Sequence, residues 1–389
     1  MTLFIYDRLI GPNDFCNCSE QINKMLILVE KGTCLRVYGP RNTGKTSLVK
    51  NIVAPKWEAI KPKKRIVLYA DFYSVSEESD ISLALTKAFN SGISSKQGLF
   101  DKTGEWMRAL KQVKPTWTPD LERPGWGEFS VRTTNASESK IVDFETIIAN
   151  VNALQIADKF EFLIILDEFQ EISSIAKAEG KLRHALQQLS PSIPVIVLGS
   201  KYHLLRKIFE KPTAPFYHWG TPVEILPIPV NEYTAYINER FQRIGKSITP
   251  TASKMAQELL GRNPEATNRF CDFLADAFAE VIFDETTVKR GLSLFVDLSR
   301  SGYAATYAAL STSERSIVRA IARAGNVQEP NAKAFLAEVK LTPGGVSKII
   351  ERLLNNSILS RTETAADTKF SYHITDALFA EYVRRFQIL

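Results

Sequence analysis

The stretch "GPRNTGKTSL", Gly39 to Leu48, carries two glycines, a lysine and a hydroxyl residue at the spacing of a phosphate-binding loop. Gly39 and Gly44 let the backbone turn tightly, so that successive N–H groups face a phosphate, and the helix that follows adds its positive end. On this reading Gly39, Pro40, Arg41, Asn42, Thr43, Gly44, Lys45, Thr46 and Ser47 contact a bound nucleotide. Lys45 bridges its outer phosphates and the Thr46 hydroxyl ligates Mg²⁺. A second group lies in "LIILDEFQ". Its aliphatic run delivers Asp167 to the C-terminal end of a strand, where open parallel sheets bind ligands. Asp167 suits the magnesium position. Glu168 follows directly, points the other way by strand alternation, and is the candidate general base. In "VIVLGSK", Ser200 at a strand tip is placed to touch the terminal phosphate or the attacking water. In "LLGRNPEATNRF", Gly261 and Pro264 mark a helix boundary that could close over the base. These residues together point to ATP with Mg²⁺, hydrolysed through Glu168, Lys45 and Ser200.

The elements that must position these groups follow from the apolar pattern. Short branched-rich runs at "TCLRVYG", 65–72, 161–169, 193–200 and 222–228 read as buried parallel strands. Helical stretches at 46–54, 80–91, 143–158, 181–189 and 202–210 alternate with them, which predicts an α/β domain over residues 1–230 with a parallel five-stranded sheet. The strand at 65–72 intervenes between the loop strand and the acidic strand. That arrangement is the one expected of additional-strand ATPases, and it argues against GTPases and simple kinases. Residues 93–140 break the rhythm with Pro, Gly and Trp and predict an irregular insertion with a short hairpin near Phe129–Arg132. Trp106, Trp117 and Trp126 there form either a local cluster or a contact surface. From Asn231 the spacing becomes helical, predicting a helical lid over 231–310.

The bulk numbers bound the partners. The chain has 389 residues, 44% hydrophobic and 24% charged, as in a soluble globular protein of two or three domains. No apolar run approaches the roughly 20 residues of a membrane-spanning helix, and the N-terminus does not read as a secretory signal, so a cytoplasmic protein without a membrane partner is expected. Cys16, Cys18, Cys34 and Cys271 are too few and uneven for a disulfide framework or a zinc knuckle. The net charge of +6 permits an anionic partner without demanding one. The run Lys61, Lys63, Lys64 and Arg65 reads as a solvated loop, with a nucleic-acid patch as the alternative.

The combination "GPRNTGKTSL", "DEFQ" (Asp167 to Gln170), "GS" (Gly199, Ser200) and the Gly-x-x-Pro of Gly261 and Pro264 resembles the archaeal-type P-loop ATPase family. That family is grouped with the signal-transducing (STAND) and AAA+ ATPases in an MNS-like clade. The resemblance spans about residues 10–389. It implies an AAA+-like core, a lid and a C-terminal winged helix. Three departures stand out: Asn42 replaces a usual Arg, "FCNCSEQINKM" replaces an acidic-basic helix start, and "FYHWGTP" with His218 and Trp219 replaces a segment bearing an arginine. Arg206 and Arg262 remain as substitutes. The missing arginine implies slow or partner-stimulated hydrolysis.

Residues 311–389 read as a winged helix: an N-cap at Ser311 or Ser313, three helices, two strands around a polar tip and a closing helix. In such folds the third helix enters the DNA major groove and the wing touches the backbone. Ser347, Lys348 and Arg352 would lie on the groove face, with Arg361 and Lys369 flanking the wing. Eleven basic against eight acidic residues leave this unit only at +3, a modest bias for phosphate-dominated binding. Two functions therefore stand side by side. One is a DNA-associated regulatory ATPase of transposition, replication or transcription. The other is a signalling or defence switch whose winged helix contacts protein or inhibits in cis. Either accommodates a protein partner or an ATP-dependent homo-oligomer.

Overall fold

The computed structural model describes residues 3–16, 18–96, 143–156, 160–363 and 370–388, together with the backbone of strands 116–119 and 127–130. Lys369, Trp106, Trp126 and the Trp117 side chain lie outside the described residues. The chain divides into two compact units, Leu9–Leu226 and Met1–Arg8 with Pro227–Leu389.

The first unit is built on five parallel strands: β1 (Leu35–Tyr38), β2 (Arg65–Asp71), β5 (Glu161–Asp167), β6 (Val195–Gly199) and β7 (Thr221–Glu224), in the order β2-β5-β6-β1-β7. The insertion contributes β3 (Thr116–Pro119) and β4 (Gly127–Ser130), an antiparallel pair. Helices cover both faces, which is why β6 is buried at every residue and reads as an unbroken apolar run. On one face Leu163, Ile165, Ile196 and Leu198 pack under α1 (Ser19–Glu30) and the helix that follows the loop. On the other, Phe162, Ile164, Val195 and Val197 pack under α3 (Glu78–Ser94), α4 (Phe144–Ile156), α5 (Ala178–Gln187) and α6 (Tyr202–Phe209).

The sheet order corrects one expectation. Residues 65–71 do lie between the loop strand and the acidic strand along the chain, but in the sheet β2 is at the edge. The strand inserted between β1 and β5 is β6, the one that carries Ser200 at its tip. The additional-strand arrangement holds, through a different strand, because parallel pairing is set by crossovers and not by sequence order.

The helix after the loop differs from a plain α-helix. Ser47–Val53 is wound as a π-helix and continues as α2 (Ala54–Ile60). Pro55 supplies the cause: it has no N–H for the Asn51 carbonyl, its ring crowds that carbonyl, and a wider turn relieves both. Arg65 also departs from the expected solvated run. Only 3% exposed, it donates to both Glu30 oxygens (2.5 and 2.8 Å), to Glu161 (2.9 Å) and to the Trp57 carbonyl (2.8 Å).

In the second unit, α7 (Val230–Gln242), α8 (Pro250–Leu259), α9 (Pro264–Ala277), α10 (Glu285–Leu298) and α11 (Arg300–Ala308) form the helical part, with a short parallel pair, β8 (Ser247–Ile248) and β9 (Ile282–Phe283). Phe4 is fully buried here against Phe241 and Tyr236, and the Leu3 and Phe4 N–H groups both donate to Asp272 Oδ1 at 3.0 Å. Then come α12 (Thr312–Ala324), α13 (Lys333–Val339), α14 (Pro343–Asn355), the antiparallel strands β10 (Leu359–Glu363) and β11 (Phe370–Ile374), and α15 (Ala377–Phe386). Ser311 caps α12, sharing a capping box with Glu314. Among the described residues no helix is long and apolar enough to cross a membrane.

Candidate functional site

The sheet order brings the sequence candidates together. β5, β6 and β1 are neighbours, so Asp167, Glu168, Ser200 and the loop leave the sheet at one C-terminal edge. β1 is also where the strand order reverses, the switch point at which open α/β sheets bind ligands.

The loop is braced from within. The Thr43 hydroxyl and the Lys45 ammonium both donate to the Pro40 carbonyl, at 2.8 and 2.5 Å. Asn42 and Gly44 take left-handed conformations, φ 60° and 82°. The position where the resemblance expects Arg thus needs a left-handed residue, and Asn is among the side chains that tolerate it. Lys45 is only 7% exposed. Burial pulls its pKa down to about 8, against the opposing pull of Glu168 and Asp167 and with the help of Arg41. Ser47 was expected at the nucleotide, but its hydroxyl oxygen accepts the Ile10 N–H at 3.1 Å and its side chain is buried. It anchors the segment that enters the unit, as does Asn51, which donates to the Ile10 carbonyl at 2.9 Å.

Asp167 gathers donors. Oδ2 accepts from the Thr46 hydroxyl (2.8 Å) and the Tyr69 hydroxyl (2.9 Å), and Oδ1 accepts the Glu168 N–H (2.8 Å). Burial first, and then the Asp167 charge, push the Tyr69 hydroxyl up, so it remains a donor. With its proton committed to Asp167, Thr46 Oγ1 keeps its lone pairs for a cation. Two neighbouring oxygen ligands, one anionic, beside a buried lysine suit Mg²⁺ with a phosphate. Tyr69 has no signal in the sequence. Its role depends on β2 pairing with β5, with Tyr69 opposite Ile165.

Glu168 lies one residue past the strand, in a left-handed conformation with φ 48°. Strand alternation therefore does not aim it. Its direction is set by Ser200, whose hydroxyl donates to Oε2 at 3.0 Å, and by Gln170, whose amide donates to the same oxygen. Phe169 pins the turn, stacked on Phe209 at 5.7 Å and edge-on to Phe216 at 5.2 Å. Trp219 joins this cluster, stacked on Phe209 at 6.1 Å. Where an arginine is expected from the resemblance, this chain has a tryptophan serving packing. Arg206 pairs with Glu210 on its own helix.

Gly261 and Pro264 belong to the other unit. Gly261 and Arg262 are left-handed (φ 63° and 54°), Arg262 donates to the Ile228 carbonyl at 2.7 Å, and Pro264 opens α9 behind an Asn263 cap. The Pro264 carbonyl accepts the Tyr233 hydroxyl at 2.9 Å. In the winged-helix segment, Ser347, Lys348 and Arg352 are exposed on α14. Arg352, 55% exposed, is paired with the nearly buried Glu314 at 2.7 Å. Arg361 on β10 lies over the Phe370 ring at 4.4 Å.

Strand order, phosphate loop and acidic strand end define the fold of a P-loop ATPase of the additional-strand, AAA+ type, carrying a C-terminal winged helix. Residues 301–385 match the family model described as a probable winged helix domain. Among solved structures, the chain is similar to a Walker-type ATPase of Pyrococcus abyssi, at TM-score 0.63 and 17% identity over 98% of this chain and 99% of that one. It is also similar to the ORC2 protein of Aeropyrum pernix in its ADPNP-ADP complexes, at TM-score 0.53 and 14% identity over 99% and 98%. At such identities the likeness is one of fold. No curated protein matches the chain in sequence.

Proposed function

We propose that this chain is an Mg²⁺-dependent ATPase that hydrolyses slowly and works as a nucleotide-dependent switch. The observation that carries the reading is the Ser200–Glu168 hydrogen bond of 3.0 Å beside the Thr46–Asp167 bond of 2.8 Å. The loop, Ser200 and the Asp167–Glu168 pair thus leave three adjacent strands, β1, β6 and β5. Lys45 would bind the outer phosphates, where a phosphate charge offsets the burial that now disfavours its ammonium. Thr46 and Asp167 would hold Mg²⁺, which supplies charge neutralisation on the phosphates. Glu168 would accept the proton of the attacking water and Ser200 would orient it. The A. pernix relative's complexes with ADPNP and ADP support ATP as the nucleotide. Slow turnover follows from Trp219 standing where an arginine would be and from Arg206 being tied to Glu210.

The switch reading requires different contacts with ATP and ADP. Ser200 and Asp167 would sense the terminal phosphate. Double-stranded DNA is the proposed partner of the winged helix, through Ser347, Lys348 and Arg361. The Arg352–Glu314 pair favours a second reading, a protein-contact surface, since it spends a groove-face cation on the fold.

The test separates binding from chemistry. Glu168→Gln should bind ATP within a few-fold of wild type and lose turnover by about 100-fold or more. Lys45→Ala should lose binding. Phosphate release by Glu168→Gln at the wild-type rate would remove Glu168 as base. For DNA, duplex affinity should fall with salt and drop on changing Lys348 and Arg361 together to Ala. An affinity indifferent to both would leave the protein-contact reading.

A further inference from the structure

We propose that Gln170 is a positioning residue for the base, selecting which oxygen of Glu168 can take the proton. This rests on Glu168 being the base, as argued above. Gln170 is fully buried, an expensive place for a side-chain amide. Its nitrogen donates to Glu168 Oε2 and to Glu171 Oε1, the latter at 3.1 Å. Its carbonyl oxygen is buried without a donor among the described residues. The amide orientation follows from its neighbours: two carboxylates on one side demand the N–H₂ there, and the unsatisfied carbonyl is the consequence.

The strand end reads this turn at three successive positions. A Cβ at residue 199 would stand 2.4 Å from Gln170 Oε1, so the amide fits only because that residue is Gly199. The Ser200 hydroxyl donates to Glu168 Oε2. The Lys201 ammonium pairs with Glu171 Oε1 at 2.8 Å, the oxygen that also accepts from Gln170. Ser200 and Gln170 thus converge on one oxygen of Glu168. Oε1 accepts nothing among the described residues, and it is the atom left to take a proton from water. The left-handed backbone at Glu168, unfavourable for a non-glycine residue, keeps the side chain within reach of both donors. Without the amide, Ser200 alone holds the carboxylate, which can rotate and offer either oxygen.

The experiment uses the full chain with ATP and Mg²⁺ and measures kcat, KM and ATP affinity for Gln170→Met, Glu168→Gln and the double variant. Gln170→Met keeps the volume and removes the donor. The expected result is a kcat about 10- to 100-fold lower with KM and affinity within about twofold. In the Glu168→Gln background, adding Gln170→Met should change the residual rate less than twofold, because Gln170 acts through Glu168. A Gln170→Met enzyme at wild-type kcat, or equal losses with and without Glu168, would overturn the proposal. Should Gln170→Met not fold, Gln170→Leu carries the same test, removing the donor with a smaller apolar side chain. Full turnover in Glu168→Gln alone would instead refute the base assignment. Loss there with no effect of Gln170 would refute only the positioning role.

Discussion

Lys45 gives the sharpest quantitative test, and it needs no nucleotide. Its ammonium is held in a buried position where the pKa falls from 10.5 to about 8. Unfolded, the same lysine keeps its proton to about 10.5. Between these values the unfolded chain binds more protons, so stability rises with pH across that window. Below it the folded state carries the whole penalty of a charge kept from water. The shift corresponds to about 3 kcal/mol at pH 7 at 1.36 kcal/mol per unit. Lys45→Met keeps most of the stem and removes the charge. It also removes the bond to the exposed Pro40 carbonyl, which water can replace, a loss of about 1 kcal/mol. The variant without nucleotide or metal should therefore be more stable by about 2 kcal/mol, a rise in melting temperature of roughly 4–8 °C for a unit of this size. The advantage should shrink as pH climbs from 8 towards 10.5. Adding ATP and Mg²⁺ should reverse the order, because wild type gains about 2.7 kcal/mol at 100-fold excess over Kd and the variant gains none. Thermal melts at pH 7, 8.5 and 10, with and without ATP, read all of this. A variant that melts at or below wild type at pH 7, or a gap constant with pH, would refute the reasoning.

Two further outcomes concern stability. Arg65→Ala should cost about 2–3 kcal/mol in chemical denaturation, because it empties a buried site beside Trp57 and unpairs the part-exposed Glu30, while Glu161 keeps Lys61. Phe4→Ala should lower the stability of the second unit by about 3–5 kcal/mol while leaving ATP affinity unchanged, measured by melting and by nucleotide titration.

The strands, the loop and the winged helix were legible because each writes a local signature: unbroken aliphatic runs for covered strands, two glycines before Lys-Thr for the loop, Ser311 with Glu314 for a cap. What pairing decides was not legible. Nothing in residues 65–71 says that their strand is an edge, or that Tyr69 will reach Asp167 across it. Arg65 ends a basic run and looks solvated until Glu30 and Glu161 arrive from distant elements. Glu168 is marked by its motif, but its direction does not follow from strand alternation, because the strand ends one residue before it. Gln170 carries no signal of its own in "DEFQ", since its burial and its two carboxylate partners exist only once the turn has closed.

The seat of Phe4 has a consequence for synthesis. Phe241 and Asp272, which receive this residue, are made more than two hundred residues after it. At roughly 5–20 residues per second, the segment around Phe4 waits on the order of tens of seconds before its partners exist. The sheet unit that begins at Leu9 can complete itself in that interval. Phe4 cannot be seated then, and it stays uncovered until the segments carrying Phe241 and Asp272 have emerged. A chaperone that recognises short apolar segments would find its target there, on chains still being translated.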